Sequence, residues 1–157
     1  DLSLAVNKDS DIDSTLSAFL ASEALSHDNK YKCDGCQNLV AATKQISIIA
    51  APQVLILHLT RFSFGSSAAN AAKKEDIVTY SMELSLPVSN SDSQSNLTKK
   101  YELIGVVVHI GPSIHAGHYV AFVRAPNKQW YKTNDSEVTE VTEQDVLNQQ
   151  AYMVLIM

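Results

Sequence analysis

Residues 115–135 of this chain read HAGHYVAFVRAPNKQWYKTND, and this stretch decides the fold. Two runs rich in apolar residues, 118–125 and 128–133, stand on either side of Pro126 and Asn127. Runs of this kind around a short turn predict an antiparallel β-hairpin. Such a hairpin brings together the polar residues at the outer ends of its two strands, without help from the rest of the fold.

His118 stands at the outer end of the first strand, and its neighbour across the hairpin depends on the turn. A two-residue turn places His118 opposite Asp135, and a turn one residue tighter or looser places it opposite Asn134 or Ser136. An imidazole beside a carboxamide or carboxylate is the base and orienting partner of a nucleophilic triad. A single histidine at a strand start is more often a surface or hydrogen-bonded core residue, and spacing alone favours that simpler interpretation. The hairpin itself does not provide the third member of such a triad, the nucleophile.

The overall composition is that of one ordinary globular domain. The chain has 157 residues, of which 45% are hydrophobic, and a net charge of −5. This charge argues against nucleic acid as the main partner, because phosphate binding relies on clustered Lys and Arg. No uncharged apolar run approaches the roughly 20 residues of a membrane span, and no signal peptide is visible. Because the chain starts with Asp1 rather than methionine, residue 1 is expected to be a fragment boundary.

Two cysteines, Cys33 and Cys36, form a C-x-x-C pair. A redox pair requires a βαβ setting that the sequence does not show, and a catalytic thiol is the weakest interpretation because His118 is far away in sequence. A structural zinc ion requires four ligands, and His27 and His115 lack the spacing expected of the other two. We interpret the pair as half of a zinc ribbon whose other half lies outside this chain. Two cysteines form no disulfide framework, which predicts an intracellular, cytoplasmic or nuclear location.

Hydrophobic periodicity and turn residues predict few helices and about eight strands. A helix capped by Asp13 or Ser14 is expected to run to about Leu25, and a single helical turn is expected at 143–147. Strands are expected at 39–49, 54–62, 77–86, 101–110, 118–125, 128–133, around 138–141 and at 151–157, with a flexible connection at 65–76 and a polar loop at 89–98. The fold class is therefore α+β and β-rich, with a mainly antiparallel sheet.

Several sequence blocks, taken in order, resemble the ubiquitin-specific proteases, the papain-like cysteine deubiquitinases. The blocks are YKCDGC at 31–36, PQVLILHLTRF at 52–62, GHYV at 117–120, WY at 130–131, ND at 134–135 and LNQQAYM at 147–153. Each block is modest alone, but together they are specific and cover essentially the whole chain.

The resemblance implies a role for each matching residue. His118 matches the general base that deprotonates a nucleophilic thiol, and Asn134 matches the residue that orients the imidazole. We expect Nδ1–H of His118 to donate to Asn134, which leaves Nε2 facing the thiol. Asp135 matches a neighbour that supports or substitutes for Asn134. Cys33 and Cys36 match one of the two C-x-x-C pairs that hold a zinc ion.

The same resemblance assigns Gly111, His115, Gly117 and Tyr119 to substrate binding. The segment 111–117 matches a loop that borders the channel for the Gly-Gly tail of ubiquitin, and 65–76 falls roughly where the other such loop lies. Tyr119 points to the opposite face of its strand from His118, so the two side chains cannot share one role.

Parts of the family pattern are missing from this chain. The block with the nucleophilic cysteine and the first zinc C-x-x-C pair are absent, and Thr60 stands where many members have a basic residue. The chain resembles the C-terminal half of the catalytic domain, with the palm sheet and part of the fingers but without the thumb. We expect 1–157 to be a single fragment whose partners are the N-terminal half and ubiquitin or a ubiquitinated protein.

The implied function is deubiquitination, the thiol-dependent hydrolysis of the bond after the C-terminal glycine of ubiquitin. This chain would supply His118 and Asn134 or Asp135, with the nucleophilic cysteine outside it, so the chain alone is expected to be inactive. The alternative is a non-catalytic ubiquitin-binding module on the same scaffold. A third interpretation is a β-rich interaction domain in which the polar pairing is accidental. A cysteine block encoded upstream of Asp1 would distinguish the protease from the binding module.

Overall fold

The computed structural model describes residues 1–8, 10–62, 73–89, 96–113 and 116–157. The helices in these ranges are α1, Ile12–Leu20, and α2, Glu143–Leu147. The strands are β1 Leu2–Ala5, β2 Ser10–Asp11, β3 Glu23–Leu25, β4 Tyr31–Lys32, β5 Leu39–Val40, β6 Ala42–Lys44, β7 Leu55–Thr60, β8 Val78–Thr79, β9 Glu83–Ser89, β10 Asn96–Ser113, β11 Ala116–Arg124, β12 Trp130–Asn134, β13 Glu137–Val141 and β14 Met153–Ile156. No helix within the described ranges is long and apolar enough to cross a membrane.

One mixed sheet forms the centre of the structure. Its strands lie in the order β1-β7-β14-β10-β11-β12-β13, and β9 pairs with the first half of β10. Only β1 and β7 run parallel among the described pairs of this sheet. The predicted β-rich, mainly antiparallel α+β fold is confirmed.

The strand β7 lies inside the sheet between β1 and β14, as its apolar sequence predicts. Leu55, Leu57 and Leu59 are buried on one face, and the residues between them are half-buried on the other. Burial on both faces is the reason why this strand shows only partial alternation of polar and apolar residues.

The main core lies on the face of the sheet that carries alternate residues of β10 and β11. Val106, Val108, Val120 and Phe122 are buried there together with side chains of both helices. His118 belongs to the same face as Val120 and Phe122, because side chains two residues apart on a strand point the same way. The core therefore fixes the strand that carries His118, while His118 itself is exposed beyond the core edge.

The first helix is shorter than the sequence predicts and begins earlier. Asp11 is the N-cap: its side chain accepts from the Ser14 N–H, and the Ser14 hydroxyl accepts in return from the Asp11 N–H. This reciprocal pair is a capping box, which moves the helix start to Ile12. The helix ends at Leu20 rather than near Leu25, because residues 23–25 pair with β6 instead.

Several predicted strands and connections have different limits in the structure. The strand predicted at 39–49 is reduced to β5 and β6, and the one predicted at 77–86 is divided into β8 and β9. Residues 96–98, predicted as part of a polar loop, belong to β10 because they pair with the end of β9. Ser89, the first residue of that predicted loop, is the last residue of β9, and 90–95 lie outside the described residues.

The segment 73–76 is anchored, although the sequence predicts a flexible connection at 65–76. The Arg61 side chain is 1% exposed and donates to the carbonyls of Lys74 at 3.1 Å, Asp76 at 2.7 Å and Ala151 at 2.6 Å. A buried guanidinium offers several fixed donors, so one side chain holds this segment against the start of β14. Residues 63–72 lie outside the described ranges.

Candidate active site

The β11–β12 hairpin turns through three residues, Pro126 to Lys128. The Ala125 N–H donates to the Gln129 carbonyl, and the Lys128 N–H donates to the Ala125 carbonyl, both at 2.9 Å. Lys128 has a φ of 66°, the left-handed conformation that commonly ends a three-residue hairpin loop. The loop is one residue longer than the two-residue turn that would place His118 opposite Asp135.

The longer loop places His118 in line with Ser136, yet its side chain contacts Asn134. The strands pair from Arg124 and Trp130 to Ala121 and Thr133, and continuing this register brings His118 opposite Ser136. Asn134 is then the diagonal neighbour on the same face, which is within reach of a long side chain. The His118 ring and the Asn134 Oδ1 atom form a hydrogen bond.

The ring nitrogen in this bond is not the expected one. Nε2 of His118, rather than Nδ1, lies against Asn134 Oδ1. Since the carboxamide oxygen can only accept, Nε2–H is the donor of this bond, and Nδ1 is the ring nitrogen that takes no part in it. The expected assignment of the two nitrogens was therefore wrong: Asn134 is a diagonal neighbour of His118 and meets its Nε2.

Asp135 occupies the turn between β12 and β13 rather than a strand. Asn134 pairs with Glu137, so Asp135 and Ser136 form a two-residue turn. Asp135 has a φ of 51°, as tight hairpin turns require at their first central position. Its side chain is exposed, and no hydrogen bond joins it to His118 within the described residues. The structure therefore brings together His118 and Asn134 and leaves Asp135 beside them.

Gly111 and Gly117 approach each other where the β10–β11 ladder becomes irregular, between Ile110 and Ser113. Gly111 has a φ of 151°, and a Cβ there would overlap the Ala116 carbonyl. A Cβ on Gly117 would overlap the His109 ring and lie 2.8 Å from the Ile110 carbonyl. Both positions thus require glycine, next to His118. His115 lies outside the described residues.

The opposite face of the same strands carries an aromatic cluster, made of His58, Phe62, His109, Tyr119 and Tyr152. The Tyr119 ring lies 4.8 Å from the His109 ring and 5.9 Å from the Tyr152 ring. Tyr119 is 49% exposed, so it borders a surface on the face away from His118, as strand alternation predicts. The cluster and the His118 pair flank the two glycines from opposite faces.

His109 is the main member of this cluster that sequence reasoning missed. It is 3% exposed, and burial, assisted by the nearby charge of Lys73, lowers the pKa of its imidazole. Burial thus disfavours the charged form of the ring, and the ring packs against Gly117. The sequence did carry a sign of this residue, because His109 directly follows three valines in a strand predicted to be buried. That Tyr119 lies opposite His109 becomes known only from the register of β10 and β11.

Substituting Gly117 with alanine is expected to lower the free energy of unfolding by about 1–3 kcal/mol, the usual cost of overpacking. The added methyl group would overlap the His109 ring and the Ile110 carbonyl, and neither can move without disturbing the ladder. Gly105→Ala is the matched control, because a Cβ there meets its nearest atom, the Phe122 carbonyl, at 3.5 Å. Urea unfolding measures both; equal losses in the two variants would contradict this account.

Cys33 and Cys36 lie in the turn between β4 and β5. The Cys33 N–H donates to the Asn38 carbonyl at 3.0 Å, and the Gln37 N–H donates to the Cys33 carbonyl at 2.8 Å. The backbone N–H groups of Cys36 and Gly35 donate to the Cys33 sulfur and lower the pKa of its thiol. Both thiols are free, and no group of three or more potential metal ligands occurs within the described ranges. The turn presents two thiols suited to a metal ion.

A cleft of about 850 Å³ lies at the other end of the hairpin, away from His118. Arg124, Pro126 and Lys128 line it together with Glu102 and Met157. Arg124 is held there by an ion pair with Glu102 at 2.6 Å. Neither His118 nor Asn134 lines this cleft, so it is separate from the candidate site.

The family model described as ubiquitin carboxyl-terminal hydrolase matches residues 7–155 of this chain. Ubiquitin carboxyl-terminal hydrolase 23 of Arabidopsis thaliana is 39% identical over 156 residues, covering 98% of this chain and 18% of the relative. Ubiquitin carboxyl-terminal hydrolase 25 of the same plant is 38% identical, covering 98% of this chain and 23% of the relative. The chain belongs to the ubiquitin carboxyl-terminal hydrolase family and spans about a fifth of these relatives.

Solved structures give the same result for the fold. The Ubp8/Sgf11/Sus1/Sgf73 DUB module of SAGA, bound to ubiquitin aldehyde, contains a chain that superposes with a TM-score of 0.84 at 32% identity. The match covers 100% of this chain and 35% of that chain. The fold is thus part of a ubiquitin-specific protease catalytic domain, and the expected family resemblance is confirmed.

Proposed function

We propose that this chain is the C-terminal part of a deubiquitinase catalytic domain and supplies the base of its active site. The observation that carries the proposal is the hydrogen bond between His118 and Asn134, formed by the same two residues that match the family pattern. Asn134 fixes the imidazole with Nε2–H donating to it, so Nδ1 can take a proton from a thiol. A thiolate is a far better nucleophile than a thiol, which makes this pairing useful near neutral pH.

The reaction is hydrolysis of the bond after the C-terminal glycine of ubiquitin. The thiolate attacks the carbonyl carbon, and the imidazolium then donates its proton to the leaving amine as the acyl-enzyme forms. Water, deprotonated by the same imidazole, releases ubiquitin from the thioester. His118 thus acts first as base, then as acid, while Asn134 keeps its ring in one orientation.

The nucleophilic cysteine lies outside residues 1–157 in this proposal. Cys33 and Cys36 sit in the turn of a separate two-stranded sheet, and their backbone-bonded geometry suits metal binding. His118 is exposed on the side where a second part of the domain would meet it. The N-terminal half of the catalytic domain is therefore proposed as the partner that brings the thiol.

Ubiquitin or a ubiquitinated protein is the proposed substrate. Gly111 and Gly117 lie in the segment that matches the family's loop beside the channel for the Gly-Gly tail of ubiquitin. Their missing side chains let the backbone of this chain close tightly next to His118. Tyr119 borders the same place from the other face of the strand. An intracellular location stays a prediction.

A zinc ion is proposed for the turn that contains Cys33 and Cys36. Two thiolates fill half of a tetrahedral shell, so the other two ligands would come from outside this chain. Such an ion would act structurally, by fixing the two halves of the ribbon together.

The isolated chain is expected to bind less than one zinc per molecule, and a chelator should remove it readily, because half a shell binds weakly. Atomic absorption after chelator treatment measures the retained metal. The double variant Cys33→Ser and Cys36→Ser should retain none. One zinc per chain that resists the chelator would show that this chain contains further ligands.

The full-length protein that contains this chain is expected to release the fluorophore from a fluorogenic ubiquitin substrate, whereas residues 1–157 alone should not. A base without a nucleophile cannot form the acyl-enzyme. Ubiquitin binding without cleavage by the full-length protein would instead support the non-catalytic binding module. Cleavage by the isolated chain would refute the division of the site between two parts.

A further inference from the structure

The part of β10 that pairs with His118 has a neighbouring strand on only one of its two edges in the described structure. His118 pairs with Ile110 of β10, and the ladder becomes irregular immediately afterwards. On the other edge of β10, pairing with β14 stops at Val107, whose carbonyl accepts from the Tyr152 N–H at 2.7 Å. Beyond this point no strand of the described structure covers that edge of β10.

The carbonyls of His109 and Gly111 face this uncovered edge. Successive residues of a strand direct their carbonyls to opposite sides, so those of Val107, His109 and Gly111 point the same way. Buried carbonyls without a donor carry a cost, so another group has to take the place of the missing strand. These two residues also flank Ile110, the ladder partner of His118.

Lys73 occupies the place of the missing strand. Its Nζ donates to the His109 carbonyl at 2.9 Å and to the Gly111 carbonyl at 3.3 Å. The Glu75 carboxylate lies 3.5 Å from the same nitrogen, so three acceptors surround the three N–H donors of the ammonium. The Lys73 side chain is only 6% exposed. The buried ammonium of Lys73 therefore links the carbonyls of His109 and Gly111 through hydrogen bonds.

We propose that Lys73 is a positioning residue for the catalytic imidazole. It fixes β10 on both sides of Ile110, and β10 in turn fixes His118 through the ladder and through the packing of His109 against Gly117. Lys73 also forms an antiparallel bridge with Phe62, so Phe62 is connected to the same part of the structure. The kinetic part of this inference rests on the proposed deubiquitinase function, and its structural part does not.

The test compares Lys73→Met with Lys74→Met in the full-length protein. Lys74 is the matched control, because its Nζ donates to the Val6 carbonyl at 3.1 Å, away from β10. Hydrogen exchange of peptides covering 109–120 should become at least about tenfold faster in Lys73→Met and stay unchanged in Lys74→Met, since an opened ladder exposes its amides. Lys73→Arg, which keeps charge and donors, should restore protection. Lys73→Gln provides the same comparison where the methionine variant does not fold.

Kinetics provide the second measurement. Lys73→Met should lower kcat for a fluorogenic ubiquitin substrate by about 10- to 100-fold, because small misplacements of a base are costly, while KM changes little. The inference would be overturned if hydrogen exchange of 109–120 stayed at the wild-type rate in both Lys73→Met and Lys73→Gln. It would also be overturned if Lys74→Met accelerated this exchange as much as Lys73→Met does. An inactive wild-type protein would refute the proposed function alone, because the exchange measurement still decides whether Lys73 holds the strand.

Discussion

Replacing His118 with alanine in the full-length protein is expected to lower kcat/KM for a fluorogenic ubiquitin substrate by about 10³-fold or more, the usual scale for a lost triad base. The thiol would lose the group that deprotonates it, and the leaving amine would lose its proton donor. His118 is exposed and outside the core, so the variant should fold normally. Steady-state kinetics, with thermal unfolding as a check, measure both properties.

Gln129→Ala is the matched control for this variant. Gln129 is an exposed polar residue at the other end of the same hairpin, and its side chain is remote from the His118 pair. Its replacement should leave turnover unchanged. Turnover by His118→Ala at the wild-type rate would show that the base is another residue.

Asn134→Ala is expected to lower turnover by about 10- to 100-fold. This loss is part of the rate acceleration of roughly 10²- to 10⁴-fold that a positioned general base supplies. The carboxamide holds Nε2–H, and without it the ring can rotate and exchange its tautomer. Asp135→Ala should cost less, because Asp135 lies in the turn with its side chain exposed. Ubiquitin affinity should change little in either variant, so the loss should appear in kcat.

The comparison of these two variants is decisive because they are adjacent in sequence. A larger loss in Asp135→Ala would mean that the carboxylate takes the imidazole contact when ubiquitin is bound. Asn134 would then be wrongly assigned. Asn134→Asp should keep more activity than Asn134→Ala, since a carboxylate oxygen can accept from the same Nε2–H.

Much of the hairpin was predictable because it depends on local sequence. The strand limits near 118–124 and 130–134 follow from apolar runs around Pro126 and Asn127. The identity of the polar partner was narrowed to three candidates, and Asn134 is one of them. Local pattern narrowed the partner of His118 to these three residues, and the family resemblance selected Asn134 among them.

The register and the ring nitrogen were not predictable in the same way. The register depends on the left-handed conformation of Lys128, a residue type that gives no strong turn signal. The diagonal contact between His118 and Asn134 then follows from a loop one residue longer than the two-residue turn. The ring nitrogen depends in addition on the orientation of the imidazole, which no sequence pattern sets.

Contacts between distant segments were the other part that sequence reasoning missed. Lys73 and His109 are separated by 36 residues, yet a lysine side chain donates to a strand carbonyl. Arg61 likewise donates to the carbonyl of Ala151, 90 residues away in sequence. Neither residue belongs to a periodic pattern, and the buried position of a charged side chain is evident only when the acceptors around it are known.

The central claim is that the nucleophile lies outside residues 1–157 and acts with His118. A ubiquitin derivative with a C-terminal electrophile, reacted with the full-length protein and digested for mass spectrometry, identifies the modified residue. The account predicts one adduct, on a cysteine outside 1–157, which disappears in His118→Ala. An adduct on Cys33 or Cys36 would contradict it.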